Sequence, residues 1–222
     1  AEALSNSTVA LQWTSSLSAD AESVMVRYRT NGSFPADTMD GNLATLLPSS
    51  ANADTLRGLD EKVMYHVALF VKDSAGLWSS ADSSARDSVF TPDQTPPEGV
   101  VDLAAVYAGG DSVRLSWTPS GSPDAESTVV RYRADGACPS GPDNGLPWHT
   151  VGAATDSALI TDLLEKTTYY FAAFTRDSAG HWSTAHSSGC DSARIPDLLV
   201  PHNVTRLSVT PLTNTSLGLA WR

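Results

Sequence analysis

The chain has 222 residues, enough for one large domain or two ordinary ones. It has 14 Lys and Arg residues and 25 Asp and Glu residues, which gives a net charge of −11. This charge argues against polyanionic partners such as nucleic acid or an anionic membrane. Hydrophobic residues make up 41% of the chain, which predicts a folded protein, but no apolar run approaches the roughly 18 residues of a membrane span.

Taken in chain order, the predicted elements are strands in which apolar and polar residues alternate with a period of two. The pattern appears first at residues 9–13, then at 24–28, and along a longer run at 65–71. It returns at 113–117 and at 217–221. Turn signals such as Asn-Gly and Asp-Gly separate the runs, and no stretch has the apolar stripe of an amphipathic helix. The sequence therefore predicts an all-β fold of sandwiches with about seven short strands each.

The same features recur at a fixed spacing. Trp13, Trp117 and Trp221 are 104 residues apart, because 117 − 13 and 221 − 117 both equal 104. The same shift places the Asp-Ser-Ala-Gly-x-Trp-Ser run at 73–79 onto residues 177–183 without a gap. Such internal self-similarity predicts modules that follow one another along the chain.

The middle repeat contains an ordered set of apolar and aromatic residues: Pro96-Pro97, Val101-x-Leu103, Val113-x-Leu115-x-Trp117, Val130-x-Tyr132, and Leu163 six residues before Tyr169. This order resembles the fibronectin type III module, and the resemblance covers the whole chain. The Asp-Gln-Thr-Pro-Pro opening at 93–97 resembles bacterial secreted members of that family. The resemblance implies tandem immunoglobulin-like β-sandwiches with strands A to G.

The resemblance also implies which residues form the core. The Leu and Tyr pairs at 59 and 65, and at 163 and 169, are similar to the tyrosine corner, in which the phenol hydroxyl bonds to backbone upstream. The implied core signature consists of nine residues: Trp13, Tyr28, Leu59, Tyr65, Trp117, Tyr132, Leu163, Tyr169 and Trp221.

The period predicts three modules of unequal completeness. Residues 1–92 form a module that lacks most of its A strand, because residue 1 aligns with residue 105 inside the A strand of the middle module. Residues 93–196 form a complete module, and residues 197–222 supply only the A and B strands of a further one. That strand pair would leave its apolar residues without a partner sheet.

Two explanations account for the incomplete modules. The chain is a window from a longer tandem array, or residues 204–222 of one chain pair with the strand-deficient first module of the next, head to tail. The second explanation has a difficulty of stoichiometry. The first module already has its own B strand at residues 8–14, so a donated A strand fits and a donated B strand is surplus.

The resemblance places the two cysteines of the chain at one edge of the middle module, with Cys138 just after strand C and Cys190 near the end of strand G. It therefore implies a disulfide across 190 − 138 = 52 positions, for which the loop-entropy account gives about 4 kcal/mol of stabilisation. The first module has Phe34 and Arg86 at the matching positions, so the fold does not require the bridge. The bridge predicts an oxidising, extracellular setting.

The sequence offers no catalytic, cofactor-binding or metal-binding constellation, and we predict none. The five histidines share no repeat position, and no nucleophile elbow or phosphate-binding glycine loop is present. Asp20-Ala21-Glu22 repeats as Asp124-Ala125-Glu126 between strands B and C. This pattern favours a solvated acidic turn over calcium ligands, because the dense alternating carboxylates of a calcium loop are missing.

Three tryptophans are candidates for contact with a neighbouring module, a neighbouring chain or a glycan, although packing beneath a loop is the favoured role: Trp78, Trp148 and Trp182. Four tripeptides match the acceptor pattern for N-glycosylation, beginning at Asn6, Asn31, Asn203 and Asn214. Such tripeptides also arise by chance in a chain rich in Ser, Thr and Asn.

These features predict a non-enzymatic structural repeat protein, extracellular or at the cell surface, that forms a stalk, fibre or filament. Its expected partners are neighbouring modules or copies of the same chain. Linkers that contain proline, such as Thr95-Pro96-Pro97-Glu98, are stiffer than Gly/Ser tethers and suit that role. The alternatives are a spacer or carbohydrate-contacting module pair of a secreted polysaccharide-degrading enzyme, and a segment of an adhesin.

Overall fold

The computed structural model describes all 222 residues, and apart from one short 3₁₀ turn its regular structure is entirely β. The prediction of an all-β sandwich fold is confirmed. The chain divides into two compact units, residues 1–96 with 179–181 and residues 97–178 with 182–222. None of its helical segments has the length and apolarity needed to cross a membrane.

The first unit contains seven strands in two antiparallel sheets, ordered β1-β2-β5 and β4-β3-β6-β7. The strands are β1 (Glu2–Ser5), β2 (Thr8–Gln12), β3 (Ala21–Arg29), β4 (Asn42–Pro48), β5 (Ala53–Arg57), β6 (Met64–Asp73) and β7 (Arg86–Phe90). A 3₁₀ turn at Ser83–Ala85 precedes β7. The core lies between the sheets, because the period-two alternation turns residues such as Val9, Leu11, Val26 and Val67 inward.

The second unit repeats this arrangement with sheets ordered β8-β9-β12 and β11-β10-β13-β14. The strands are β8 (Val101–Gly109), β9 (Ser112–Thr118), β10 (Ala125–Arg133), β11 (Leu146–Gly152), β12 (Ser157–Ile160), β13 (Thr168–Asp177) and β14 (Cys190–Arg194). Its core includes the fully buried side chains of Val113, Leu115, Phe171 and Ile195. The chief difference in strands is that β8 has nine residues where β1 has four.

The two units also share the positions at which their strand pairing is irregular. The register of β1 on β2 shifts between Ala3 and Ser5, and that of β8 on β9 shifts between Tyr107 and Gly109. Each of these positions differs from its counterpart by the 104-residue period. Bulges of this kind are built-in features of a sheet, so their repetition means that the two units share their strand pairing in detail.

Residues 208–220 form a separate two-stranded sheet from β15 (Ser208–Thr213) and β16 (Ser216–Ala220). Its register shift, between Pro211 and Thr213, falls at the same repeat position as the other two. No third strand joins this hairpin, and Trp221 is 61% exposed. The assignment of Trp221 to a core is therefore wrong for this structure, in which no second sheet packs on the hairpin.

Candidate groove in the first unit

In the second unit, the segment before and at the start of β8 closes one edge of the sandwich. Val100 and Leu103 are 0% and 5% exposed and belong to the main core. The backbone N–H of Leu103 donates to the carbonyl of Ser188 at 2.8 Å, and that of Asp102 donates to the Ser188 hydroxyl at 3.1 Å. Residues 97–104 thus act as a half-strand laid along the segment that leads into β14.

The first unit has an open groove at the equivalent edge. Two cavities of about 180 Å³ and 520 Å³ lie there. The residues that line both are Gln12, Trp13, Leu69, Ser84 and Ala85. Trp13 is only partly buried, whereas its counterpart Trp117 is 5% exposed and shares one core cluster with Val100 and Leu103.

The two units match at the residue where the groove begins. The N–H of Ala105 donates to Asp191 Oδ2 at 2.8 Å in the second unit. In the first unit the amino group of Ala1, one period earlier, bonds to Asp87 Oδ2. That hydrogen bond holds the pKa of Asp87 below its ordinary value. The groove therefore lies at the edge of the sandwich that residues 97–104 cover in the second unit.

The rim of the groove carries polar side chains, among them Asp82 and Ser84. Asp82 caps the 3₁₀ turn: its Oδ1 accepts hydrogen bonds from the N–H and hydroxyl of Ser84 at 2.9 and 2.6 Å. The hydroxyl bond from Ser84 is the largest cause that lowers the pKa of Asp82. The groove thus combines apolar lining residues with an acidic side chain and with a serine at the repeat position of Ser188.

The tyrosine corners have the same geometry in both units. The Tyr65 hydroxyl accepts a hydrogen bond from the Asp60 N–H at 2.8 Å, and the Tyr169 hydroxyl accepts one from the Leu164 N–H at 3.0 Å. Burial raises the pKa of Tyr65. The remaining signature residues of the two units line the cores: Leu59 and Leu163 are buried, and Tyr28 and Tyr132 are partly buried against the tyrosine-corner rings.

The three candidate contact tryptophans are partly buried within their own units. Trp78 packs on Ala68 and Phe70. Trp182 packs on Phe174 and its neighbours, with the guanidinium of Arg176 5.9 Å from the ring centroid. Trp148 packs against the main core of the second unit. All three contribute to packing, and none presents a fully exposed ring for a ligand.

Cys138 and Cys190 form a disulfide with their Cα atoms 6.2 Å apart, as predicted. The predicted position of Cys190 is wrong, however, because this residue opens β14 and does not lie near its end. The reason is that the residues before Cys190 form a turn in which the Gly189 N–H bonds to the His186 carbonyl, so the strand begins late.

The first unit has a contact at the matching positions that the sequence did not reveal. The guanidinium of Arg86 lies over the Phe34 ring, 5.9 Å from its centroid. The ring of His66 meets the same phenyl ring edge-on at 5.0 Å. A cation–π contact thus joins in one unit the two positions that a disulfide joins in the other.

Three of the four glycosylation sequons lie on exposed residues, at Asn31, Asn203 and Asn214. Asn6 is partly buried, and its side-chain amide donates to Glu61 at 3.1 Å. In the repeated acidic turns, the glutamates face cations: Glu22 lies 3.6 Å from Lys72, and Glu126 lies 3.6 Å from Arg176. These pairs support the interpretation of the turns as solvated and ion-paired.

Comparison with known proteins identifies no relative. No family model matches the chain, and no curated protein matches it. The repeat, the disulfide and the surface charge are therefore the observations that bear on function.

Proposed function

We propose that this chain is a non-catalytic structural segment of tandem modules that resemble fibronectin type III, and that it serves as part of an extracellular stalk, fibre or filament. The observation that carries the proposal is the repetition itself. Two consecutive sandwiches have the same strand order and bulge positions at a period of 104 residues, and a third copy of the first strand pair follows. Repeated modules of one kind are a means of building length.

The disulfide and the surface charge support an extracellular setting. Disulfides persist in oxidising compartments, and Cys138–Cys190 is present in a module whose fold exists elsewhere in the chain without it. The net charge of −11 keeps like modules from associating without specificity. Three exposed sequons are compatible with export as well.

The packing of three tryptophans favours this function over a carbohydrate-binding accessory role. A sugar-binding surface needs aromatic faces that a pyranose ring can reach, whereas Trp78, Trp148 and Trp182 are partly buried against their own units. We therefore assign these three tryptophans to packing within their units and not to a ligand site.

Immunogold electron microscopy of intact, unpermeabilised cells that make the protein tests the proposal, with an antibody raised against the 222-residue chain. We expect label along surface projections or extracellular fibres. Label confined to the cell interior would contradict the proposal. Retardation of the chain in native gels that contain cellulose, xylan or chitin derivatives, with albumin as the unretarded control, would support the accessory-module alternative instead.

A further inference from the structure

We propose that Asn31 is a site of spontaneous deamidation, and that the fold directs this reaction to Asn31 while it protects Asn144. The chain has two Asn-Gly pairs, at residues 31–32 and 144–145. In such a pair the backbone nitrogen of the glycine can attack the side-chain carbonyl carbon of the asparagine, because glycine has no side chain that obstructs the approach. The inference goes beyond the proposed structural function and does not depend on it.

The reaction is a cyclisation followed by hydrolysis, in which water is the only co-reactant. Attack of the Gly32 nitrogen on Asn31 Cγ forms a new C–N bond and closes a succinimide ring. The C–N bond of the side-chain amide breaks, and the amide group leaves as ammonia with the proton of the Gly32 N–H. Water then opens the ring at either carbonyl, which leaves an aspartyl or an isoaspartyl residue. No group is oxidised or reduced, and each event adds a negative charge.

The two Asn-Gly pairs occupy different positions of the repeat. A shift of 104 places Asn31-Gly32 on Asp135-Gly136, and it places Asp40-Gly41 on Asn144-Gly145. Each unit therefore has an asparagine at one of these turns and an aspartate at the other, in exchanged order. The two Asn-Gly pairs are chemically identical, so a difference in their reaction rates would report the difference in their surroundings.

Asn31 lies in an open turn. Asn31, Gly32 and Ser33 are all exposed, and a Cβ atom added to Gly32 would meet nothing within 4 Å apart from its chain neighbours. Asn31 Oδ1 accepts hydrogen bonds from the Ser33 hydroxyl at 2.9 Å and from the Ser33 N–H at 3.4 Å. Both donors belong to the same turn. The asparagine side chain can therefore rotate toward the Gly32 nitrogen without breaking a contact to another strand.

Asn144 is held by contacts from outside its dipeptide. Its Oδ1 accepts hydrogen bonds from Arg133 Nη1 at 2.7 Å and from the Ser140 N–H at 3.1 Å. The bond from the guanidinium is charge-assisted and therefore one of the stronger hydrogen bonds. The Gly145 backbone is packed as well, since a Cβ atom added there would lie 2.7 Å from the Tyr132 carbonyl oxygen and 2.7 Å from Arg133 Cγ. Ring closure must rotate both the amide and the glycine backbone, and these contacts oppose both rotations.

The second unit shows that this turn accommodates the product of the reaction. The carboxylate of Asp135, at the repeat position of Asn31, is bonded to Nη2 of Arg133. In the first unit Arg29 stands at the position of Arg133 and uses Nη1 to bond Asp40 at 2.7 Å. Its Nη2 corresponds to the atom that binds Asp135. We therefore expect the chain to stay folded after the reaction, with the new carboxylate beside a guanidinium.

Peptide mapping of the folded 222-residue chain by mass spectrometry tests the inference. The chain is made in a bacterial host without N-glycosylation, because a glycan on Asn31 would occupy the nitrogen that must leave. It is then incubated in neutral to mildly alkaline buffer and sampled over weeks. We expect aspartyl and isoaspartyl products to form at Asn31 about tenfold faster than at Asn144, or more, which is the factor expected from the charge-assisted bond alone.

The same chain unfolded in guanidinium chloride is the matched control, since it keeps both Asn-Gly pairs and loses the contacts of the fold. There we expect the two rates to converge, with the larger increase at Asn144. In the folded variant Asn31→Gln, we expect the faster reaction to disappear and the rate at Asn144 to stay unchanged.

Three results would overturn the inference: comparable rates at Asn31 and Asn144 in the folded chain, a folded Asn31 that does not react while the unfolded chain does, or a ratio of rates that unfolding leaves unchanged. Any of them would leave the structural proposal standing, because cell-surface labelling tests it separately.

Discussion

The two units of this protein have the same fold but differ in the contacts at one sheet edge and between two equivalent positions. In the second unit, a half-strand covers the sheet edge near Trp117 and a disulfide joins Cys138 to Cys190. In the first unit, the same edge is an open groove and a cation–π contact between Phe34 and Arg86 takes the place of the disulfide. The strand order and tyrosine corners are unchanged.

Features that occur in both units differ in standing from features that occur in only one. The alternating core of the two facing sheets and the tyrosine hydroxyl bond occur in both units, so we regard them as the required part. The disulfide is an addition that the first unit lacks.

The largest difference in stability between the units should come from replacing Trp117, in β9, or its repeat counterpart Trp13, which directly follows β2. Trp117→Ala should lower the free energy of unfolding of the second unit by about 3–5 kcal/mol, because the buried ring leaves a cavity. Trp13→Ala should cost the first unit about half as much or less, since Trp13 borders an open groove. Hydrogen exchange mass spectrometry in increasing urea measures the free energy of unfolding of each unit within the full chain. Equal losses of stability in the two units would contradict this expectation.

Loss of the disulfide should affect one unit alone. Replacing Cys138 and Cys190 by Ser should lower the free energy of unfolding of the second unit by about 2–4 kcal/mol, because the unfolded chain regains the entropy of a 52-residue loop. The first unit serves as the internal control in the same urea series. In the converse experiment, Phe34→Cys with Arg86→Cys should form a disulfide in non-reducing peptide maps, and two free thiols would show that the positions are not equivalent.

Removing the tyrosine hydroxyls should affect both units equally. Tyr65→Phe and Tyr169→Phe each delete one hydrogen bond to a backbone N–H, and each should cost its unit about 1 kcal/mol. The same urea series measures both. A cost in one unit only would mean that the corner is not part of the shared fold.

The smallest expected effect is a pH dependence of the local stability around Asp40. Asp40 accepts hydrogen bonds from the Ala36 N–H and Arg29, and these contacts hold its pKa below the ordinary value. Its contribution to stability is therefore complete above the ordinary aspartate pKa and is lost as the pH falls through the lowered value. Asn144 makes the matching contacts in the second unit without a charge.

We therefore expect amide exchange in the loop before β4 to accelerate in acid, after correction for the intrinsic rate, while the loop before β11 does not respond. Asp40→Asn should remove the response of the first loop. A response of equal size in both loops would assign it to some other group.

The sequence predicted the parts of this structure that repeat or alternate. The period-two runs predicted the strands, and the alignment of residue 1 with residue 105 predicted a shortened first strand. The contact between Phe34 and Arg86 had no such signal, because it joins a loop residue to the first residue of β7, which is distant in sequence, and because the second unit has two cysteines at these positions. The left-handed conformation at Asp102 and Arg206 was equally hidden, since neither position is a glycine or part of a turn motif.

The position of Cys190 in its strand could not be predicted from the resemblance to the fibronectin type III module. The pattern places a strand G but not its first residue, and the turn before Cys190 depends on hydrogen bonds among residues 186–189 that have no periodic signature. The lining of the groove by Trp13, Leu69 and Ser84 could not be predicted from the sequence, because it depends on how the two sheets pack.

The central claim is that the two units share one fold, of which only the second copy has a disulfide. Hydrogen exchange mass spectrometry in increasing urea, on the parent chain and on the variant with Cys138 and Cys190 replaced by Ser, tests this claim most directly. We expect the variant to lose stability in the second unit and to keep the parent stability of the first unit. An equal loss in both units would contradict the claim.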